Sequence, residues 1–309
     1  MKGPLFFAKI LLFGEYGIIE DSKGLSIPYN FYRGALKIPK KKTDQVIESN
    51  KILIDFAKYI KDIPVKIIVF DWKKFNKDLS LNMYFDSSIP KGYGVGSSGA
   101  LVASIYDKYA LNKITVLENL TKEKLIKLKT IFSKMESFFH GKSSGLDPLN
   151  SYLSLPILIN SSDNIETTGI PSQNLNGKGA VFLLDSGSES DTRPMISLFM
   201  ENMRNENFNL MMRNEFIKYS DFCIENFLKA DMKSLFYNLK MLSGIVLKNF
   251  TPMIPNSFRD LWKKGIDSNL YYLKLCGSGG GGYFLGFTRD YVRTKKVLKK
   301  YNLELVYNF

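Results

Sequence analysis

Hydrophobic positions along the chain fall into short runs, some continuous and some helically spaced, separated by polar or glycine-rich stretches. Leu5 to Phe13 is apolar and rich in Phe, Ile and Leu. It predicts a buried strand or strand pair ended by Gly14. Gly24 to Ile38 predicts further strand, with Pro28 as a break. Apolar residues at Val46, Ile47, Ile52, Leu53, Phe56 and Ala57 predict a helix over Gln45 to Tyr59. Val65 to Phe70 is β-branched and predicts a strand, as does Leu81 to Phe85. A glycine-rich stretch, Gly92 to Gly99, precedes helices over Ala100 to Ala110 and Lys122 to Phe139.

In the second half, Pro156 to Asn160 is a short apolar strand pattern. The polar stretch Ser161 to Lys178, with Gly169, Pro171 and Gly177, is the best linker candidate. A strand at Ala180 to Asp185 and helices between about Pro194 and Leu247 follow. Strands at Tyr272 to Cys276 and Tyr283 to Phe287 flank Gly277 to Gly282; a helix over Val292 to Tyr301 and a strand over Leu303 to Tyr307 close the chain. There is no internal repeat. Helices and strands mix without strict alternation, which favours an α+β chain of two lobes, and 309 residues suit two domains.

Composition narrows the class only slightly. The net charge of +13 suits partners such as phosphorylated metabolites, nucleic acid or anionic membranes. The lysines are dispersed, however. The longest run, Lys40-Lys41-Lys42 beside Pro39, reads as a solvated loop, and no nucleic-acid recognition motif is present. Two distant cysteines, Cys223 and Cys276, give neither a metal spacing nor a disulfide framework, which fits a reduced, cytoplasmic compartment. The apolar N-terminus holds Lys9 and lacks a small-residue cleavage site, so it reads poorly as a signal peptide. No apolar run approaches the ~20 residues of a membrane span.

Three stretches carry chemistry. In Lys91-Gly92-Tyr93-Gly94-Val95-Gly96-Ser97-Ser98-Gly99, glycines let backbone N–H groups approach a phosphate, and the helix that follows points its positive end at the same anion. The hydroxyls of Ser97 and Ser98 suit a phosphate oxygen or Mg²⁺. In Glu136 to Pro148, the only histidine, His140, ends a helix before Gly141; it is either a catalytic group or a cap. Glu136 and Asp147 are the carboxylates here, and one on a turn beside a phosphate cradle can bind Mg²⁺ or accept a hydroxyl proton. In the third stretch, five glycines among Gly277 to Gly282 lie between strand patterns, which points to close approach of backbone to a ligand or to the other lobe.

The first of these stretches also fits a second pattern. Gly94-x-Gly96-x-x-Gly99 satisfies the dinucleotide-binding pattern, with Glu118 at the spacing of a ribose-binding acid. The context disfavours a Rossmann oxidoreductase, because a long helical stretch follows instead of alternating strands and helices. No Gly-Lys-Ser/Thr closes a Walker A loop. A nucleotide- or RNA-binding protein without catalysis is the other non-kinase alternative.

In their order, the three stretches resemble the GHMP kinases. Ala8-Lys9-Ile10-Leu11-Leu12-Phe13-Gly14-Glu15 is similar to that family's first motif, Gly92 to Ala100 to its ATP loop, and Gly277 to Gly282 to its third motif. Within the family, His140-Gly141-x-x-Ser144-Gly145-x-Asp147 is most similar to mevalonate kinases, whereas Gly14-Glu15-Tyr16 looks more like phosphomevalonate kinase. The resemblance implies a lobe over residues 1–170 that binds ATP, a ferredoxin-like lobe over 171–309, and an active site in the cleft between them. It implies Asp147 and Lys9 as the catalytic pair, Ser98 and Glu136 as Mg²⁺ ligands, and Lys91 to Gly99 as the ATP contact. Lys9, Glu15, Tyr16, His140, Ser144, Gly145, Asp147, Thr192, Gly279 and Gly280 would meet the acceptor, expected to be mevalonate. Arg193 is a weaker candidate for its carboxylate. ATP and Mg²⁺ are the expected cofactors, with no flavin or nicotinamide, and a monomer or homodimer without nucleic-acid or membrane partners is expected. Where the family commonly has Ala this chain has Gly99, which should loosen the helix start slightly.

Overall fold

The structure, a computed structural model, describes residues 4–117 and 119–309. Glu118, the acid of the dinucleotide reading, lies outside the described residues. In chain order the elements are β1 (Phe6–Phe13), β2 (Gly24–Lys37), α1 (Asp44–Lys61), β3 (Val69–Phe70), α2 (Trp72–Ser80), β4 (Tyr84–Ser87), α3 (Ser97–Tyr109), β5 (Ala110–Leu111), α4 (Lys122–His140), α5 (Leu146–Leu153), β6 (Ile157–Ser161) and β7 (Asn164–Thr167). They continue with β8 (Ala180–Asp185), α6 (Thr192–Asn202), α7 (Glu206–Met211), α8 (Ile217–Leu228), α9 (Met232–Asn249), α10 (Asn256–Ser268), β9 (Tyr271–Leu275), β10 (Tyr283–Thr288), α11 (Tyr291–Val297) and β11 (Leu303–Asn308). The fold is α+β. Among the described residues no helix is long and apolar enough to cross a membrane.

The chain divides into two compact units that are not contiguous in sequence. The first comprises the residues up to Lys9, Ile27–Pro90 and Gly96–Leu155. Its core is helical. Ala100, Val102, Ala103 and Ile105 of α3 are buried, as are Leu128, Phe132 and Met135 of α4 and Leu149 of α5. Phe56 of α1 meets Phe138 and Phe139 with ring centroids 5.4 and 5.5 Å apart. Thr43 and Thr121 cap α1 and α4 by accepting from the N–H groups of Val46 and Lys124.

The second unit comprises Ile10–Ser26, Lys91–Val95 and Pro156–Phe309. Its antiparallel sheet runs β11-β8-β10-β9. The strands β9 and β10 are buried along their whole length, which is why they read as continuous apolar runs. The one charged residue in those two runs, Lys274, therefore demands a partner.

Four expectations are corrected. Pro28 does not break β2; the β6 and β4 ladders use residues 24–26 and 34–37, so Pro28 owes an N–H to neither. Only Val69–Phe70 of the run from Val65 is strand, because the Pro64 carbonyl accepts from Ile67 N–H at 2.8 Å and turns the chain. The strand expected from Leu81 begins at Tyr84, since α2 occupies the preceding residues and only Phe75 and Leu79 on it are buried. The proposed linker holds β7, which pairs antiparallel with β6.

Candidate active site

The first unit gathers the charged residues. Lys9 lies in β1 between the buried Ala8 and Ile10 and is 5% exposed. An ammonium at that depth is costly unless paired. Its Nζ is 3.0 Å from Asp147 Oδ1. Asp147 sits in the first turn of α5, a helix not expected from the pattern, where unbonded N–H groups favour a carboxylate. Its side chain stays one-third open, so the pair is anchored on one side and accessible on the other.

Helix α4 brings Glu136 to the same region. Its carboxylate is buried, and it accepts from Ser98 Oγ at 3.0 Å and from Ser143 Oγ at 2.5 Å. Burial, with the charge of Asp147 added, pushes its pKa up to about 8, against the pull of the two serine hydrogen bonds and Lys9. Ser98 Oγ also lies 3.0 Å from His140 Nε2, at the C-terminal end of α4. A serine hydroxyl and a carboxylate are hard oxygen donors of the kind Mg²⁺ takes. The cost of burying the Glu136 charge, with the charge of Asp147 added, is what a divalent cation relieves, so these residues fit the ion.

Gly99 does more than start α3 loosely. A Cβ there would stand 2.7 Å from the Asp147 carbonyl carbon and 2.8 Å from Pro148 N. The missing side chain is what lets the beginnings of α3 and α5 touch, and this close approach replaces the expected slackening.

The second unit builds a different cluster. Glu15 and Lys274 form a buried ion pair, Oε2 to Nζ 2.7 Å, and Lys274 also donates to the Leu275 carbonyl. Burial outweighs Lys274 and raises the Glu15 pKa above the ordinary carboxylate range; its Oε1 has no hydrogen-bond partner among the described residues. Tyr16 is 6% exposed, lies against Phe199 and Phe250, and donates its hydroxyl to the Ser278 carbonyl at 2.6 Å. Burial pushes its phenol far up.

The glycines of both loops meet here as backbone on backbone. A Cβ on Gly94 would lie 2.3 Å from the Cys276 carbonyl oxygen, and one on Gly282 would lie 2.7 Å from Tyr93 Cα. Gly92 accepts from Ser190 N–H, and Gly282 donates to the Ser188 carbonyl. Tyr93 stands edge-on to Tyr283.

Thus Lys9, Ser98, Glu136, His140 and Asp147 are brought together in the first unit, with Gly96 and Gly99 against them; Gly145 precedes α5 and Ser144 is exposed beside it. Lys91 is exposed, Gly92 to Val95 belong to the second unit, and Ser97 opens α3. Glu15 and Tyr16 are buried in contacts of their own. Thr192 opens α6, and Arg193 is exposed near Asp191. Gly280 spends its N–H on the Met253 carbonyl. Sequence reasoning missed Ser143, which neighbours the expected Ser144, and Lys274, whose signal was a lone charge inside an apolar strand.

Residues 61–154 match the family model described as GHMP kinases N terminal domain. Over those residues, less than half of the chain, it is similar to the N-terminal domain of the GHMP kinases, a family of phosphotransferases that use ATP, in line with the resemblance read from its motifs. Among solved structures it is similar to mevalonate kinase of L. major in complex with R-mevalonate, at 15% identity and TM-score 0.59, over 97% of this chain and 93% of that one. It is similar to Streptococcus pneumoniae phosphomevalonate kinase in complex with phosphomevalonate and AMPPNP, at 13% identity and TM-score 0.61, over 98% of both chains. Lactococcus lactis galactokinase complexed with galactose has 11% identity and TM-score 0.56, over 98% of this chain and 93% of that one. At such identities the likeness gives the fold. No curated protein matches the chain in sequence.

Proposed function

We propose that the protein is an ATP-dependent kinase that phosphorylates the hydroxyl of mevalonate. The observation that carries this reading is the Lys9–Asp147 pair, with its ammonium buried and its carboxylate partly open. Phosphoryl transfer asks a protein mainly for positioning and charge neutralisation. Asp147 orients the acceptor hydroxyl and takes its proton. Lys9 stabilises the negative charge that develops on that oxygen and holds Asp147 in place. The backbone from Lys91 to Gly99 receives the phosphates of ATP. Ser98 and Glu136 would hold Mg²⁺, which supplies neutralisation of phosphate charge when bound. Among the described residues no cluster of three or more His, Cys, Asp or Glu forms a metal cage. A cation held by two protein oxygens takes its remaining ligands from phosphate and water.

Phosphomevalonate is the nearest competing acceptor. A second phosphate needs convergent cations. Lys9 is already paired with Asp147, and the other cation adjoining the motif, Lys142, is exposed. Tyr16, which suggested phosphomevalonate, is buried against the third glycine stretch, so its identity does not speak to the acceptor. The reading is tested by ATP consumption with mevalonate, phosphomevalonate, galactose and homoserine in parallel. Mevalonate should give the highest kcat/KM; phosphomevalonate used at least as efficiently refutes the acceptor, and no turnover with any of the four refutes the kinase assignment for these substrates.

A further inference from the structure

We propose that Ser143 is a positioning residue: its hydroxyl, itself fixed by the Gly145 N–H, locks the plane of the Glu136 carboxylate so that a divalent cation meets oxygens already in place. The inference deepens the kinase reading and rests on its assignment of Ser98 and Glu136 to Mg²⁺; every residue it uses lies within the first unit.

A glutamate held by its backbone alone does not present a fixed pair of oxygens. The torsion that turns its carboxylate is broad and roughly twofold, so the plane drifts unless both oxygens are held. In Glu136 both are. Ser98 Oγ donates to Oε1 at 3.0 Å, and Ser143 Oγ donates to Oε2 at 2.5 Å. Glu136 is 3% exposed, so bulk water does not replace a lost partner. The two serines are not equivalent. Ser98 Oγ also lies 3.0 Å from His140 Nε2 and is the oxygen assigned to the ion, so its hydroxyl is shared. Ser143 Oγ accepts from the Gly145 N–H at 3.0 Å, and a hydroxyl has a single hydrogen to give. That hydrogen goes to Glu136. A hydroxyl that only closed its own turn would end at the Gly145 N–H; this one carries on to a buried carboxylate.

The turn that carries Ser143 is built against α4, the helix of Glu136. The Ser143 carbonyl accepts from Ser133 Oγ at 2.6 Å. Gly145, at φ +74, packs so closely that a Cβ there would stand 2.2 Å from the Lys129 carbonyl oxygen and 2.6 Å from Ser133 N. The turn cannot slide along α4 without breaking these contacts. The Ser143 hydroxyl is therefore held at a fixed place relative to Glu136, through a closed circuit from Ser133 to Ser143, from Ser143 to Glu136, and back along the helix. Asp147 follows in the first turn of α5, paired with Lys9.

The test is Ser143→Ala, with Mn²⁺ as the probe ion and its binding in the presence of AMPPNP read by electron paramagnetic resonance. Loss of a group that orients a ligating carboxylate should weaken Mn²⁺ about tenfold or more. AMPPNP binding in EDTA, and the KM for R-mevalonate at saturating Mg²⁺, should both stay within about twofold. Ser143→Thr keeps the hydroxyl and should hold Mn²⁺ affinity within about threefold of wild type. Ser137→Ala is the control: it removes a hydroxyl of the same helix that donates to the Ser133 carbonyl at 2.7 Å, and should leave Mn²⁺ affinity within about twofold. If the alanine variant does not fold, Ser143→Cys, whose thiol is a weak donor, should weaken Mn²⁺ in its place. Unchanged Mn²⁺ affinity in Ser143→Ala overturns the proposal. So does an equal loss in Ser137→Ala, since that marks general loosening of α4. A wild-type chain that binds AMPPNP but no Mn²⁺ refutes the metal assignment, and the positioning role falls with it. If the wild-type chain binds Mn²⁺ yet phosphorylates none of the acceptors, the kinase reading fails for those substrates, and the comparison of Mn²⁺ affinities still decides whether Ser143 sets the carboxylate.

Discussion

Gly99→Ala is the substitution whose effect the geometry states most directly. Alanine is the residue common at this place in the kinases the motif resembles, and in a helix interior it is favoured over glycine by about 1 kcal/mol. By propensity alone the change should stabilise. In this chain the new Cβ would stand 2.7 Å from the Asp147 carbonyl carbon, 2.8 Å from Pro148 N and 2.9 Å from Asp147 Cβ, where ordinary contact begins at 3.4 Å. The nearest obstacles are backbone atoms, so no rotamer change clears them. The starts of α3 and α5 must separate by about 0.7 Å, the gap between those distances. Overpacking of this kind costs roughly 1–3 kcal/mol, which offsets the helix gain and leaves a net loss of up to about 2 kcal/mol. The displaced group is Asp147, whose Oδ1 is 3.0 Å from Lys9 Nζ. A shift approaching 1 Å at a positioned catalytic group costs up to about 10²-fold in turnover. Melting temperature and steady-state kinetics measure both effects. Gly244→Ala is the control, since it lies in α9 with nothing within 4 Å of the added atom and should stabilise. A Gly99→Ala protein that melts higher than wild type and turns over normally would refute the close-contact argument.

Asp147→Asn should leave the chain folded but lower the melting temperature, because the buried Lys9 ammonium loses its charged partner, and should reduce turnover about 10²-fold or more, with Lys9→Met similarly slow; a folded Asn variant with normal kinetics removes Asp147 from the mechanism. Ser98→Ala and Glu136→Gln should each raise the Mg²⁺ concentration for half-maximal activity at fixed ATP, and unchanged half-saturation in both variants rules out the metal assignment. The raised pKa of Glu136 sets a pH dependence. Folding holds its proton from 4.5, where the unfolded chain releases it, up to about 8, so its contribution to stability is complete below that window and is lost as pH rises through it. Cation binding must expel the same proton. Calorimetry at pH 7 in buffers of different ionisation enthalpy should therefore show proton release with Mg-ATP in wild type, and its absence contradicts the assignment of Glu136.

The sequence alone determined the elements whose signals are local. Continuous apolar runs marked β9 and β10, spaced apolar positions marked α1 and α4, and the two glycine-rich loops stood out because a backbone that must approach another closely tolerates little else. It also determined the family resemblance, which rests on short motifs in a set order. The tertiary structure decided what those motifs touch. That Glu15 turns to Lys274 and that Tyr16 reaches a glycine-flanked peptide instead of lying open were not legible, because each depends on segments far apart in the chain packing together; which of the adjacent Ser143 and Ser144 meets Glu136 depends on the exact turn between α4 and α5. Gly99 shows the distinction within one residue. Helix propensity, a local quantity, assigned it a small loss of order, whereas its actual role is set by Asp147 and Pro148 pressing against it, and steric contact at 2.7 Å outweighs a propensity of about 1 kcal/mol.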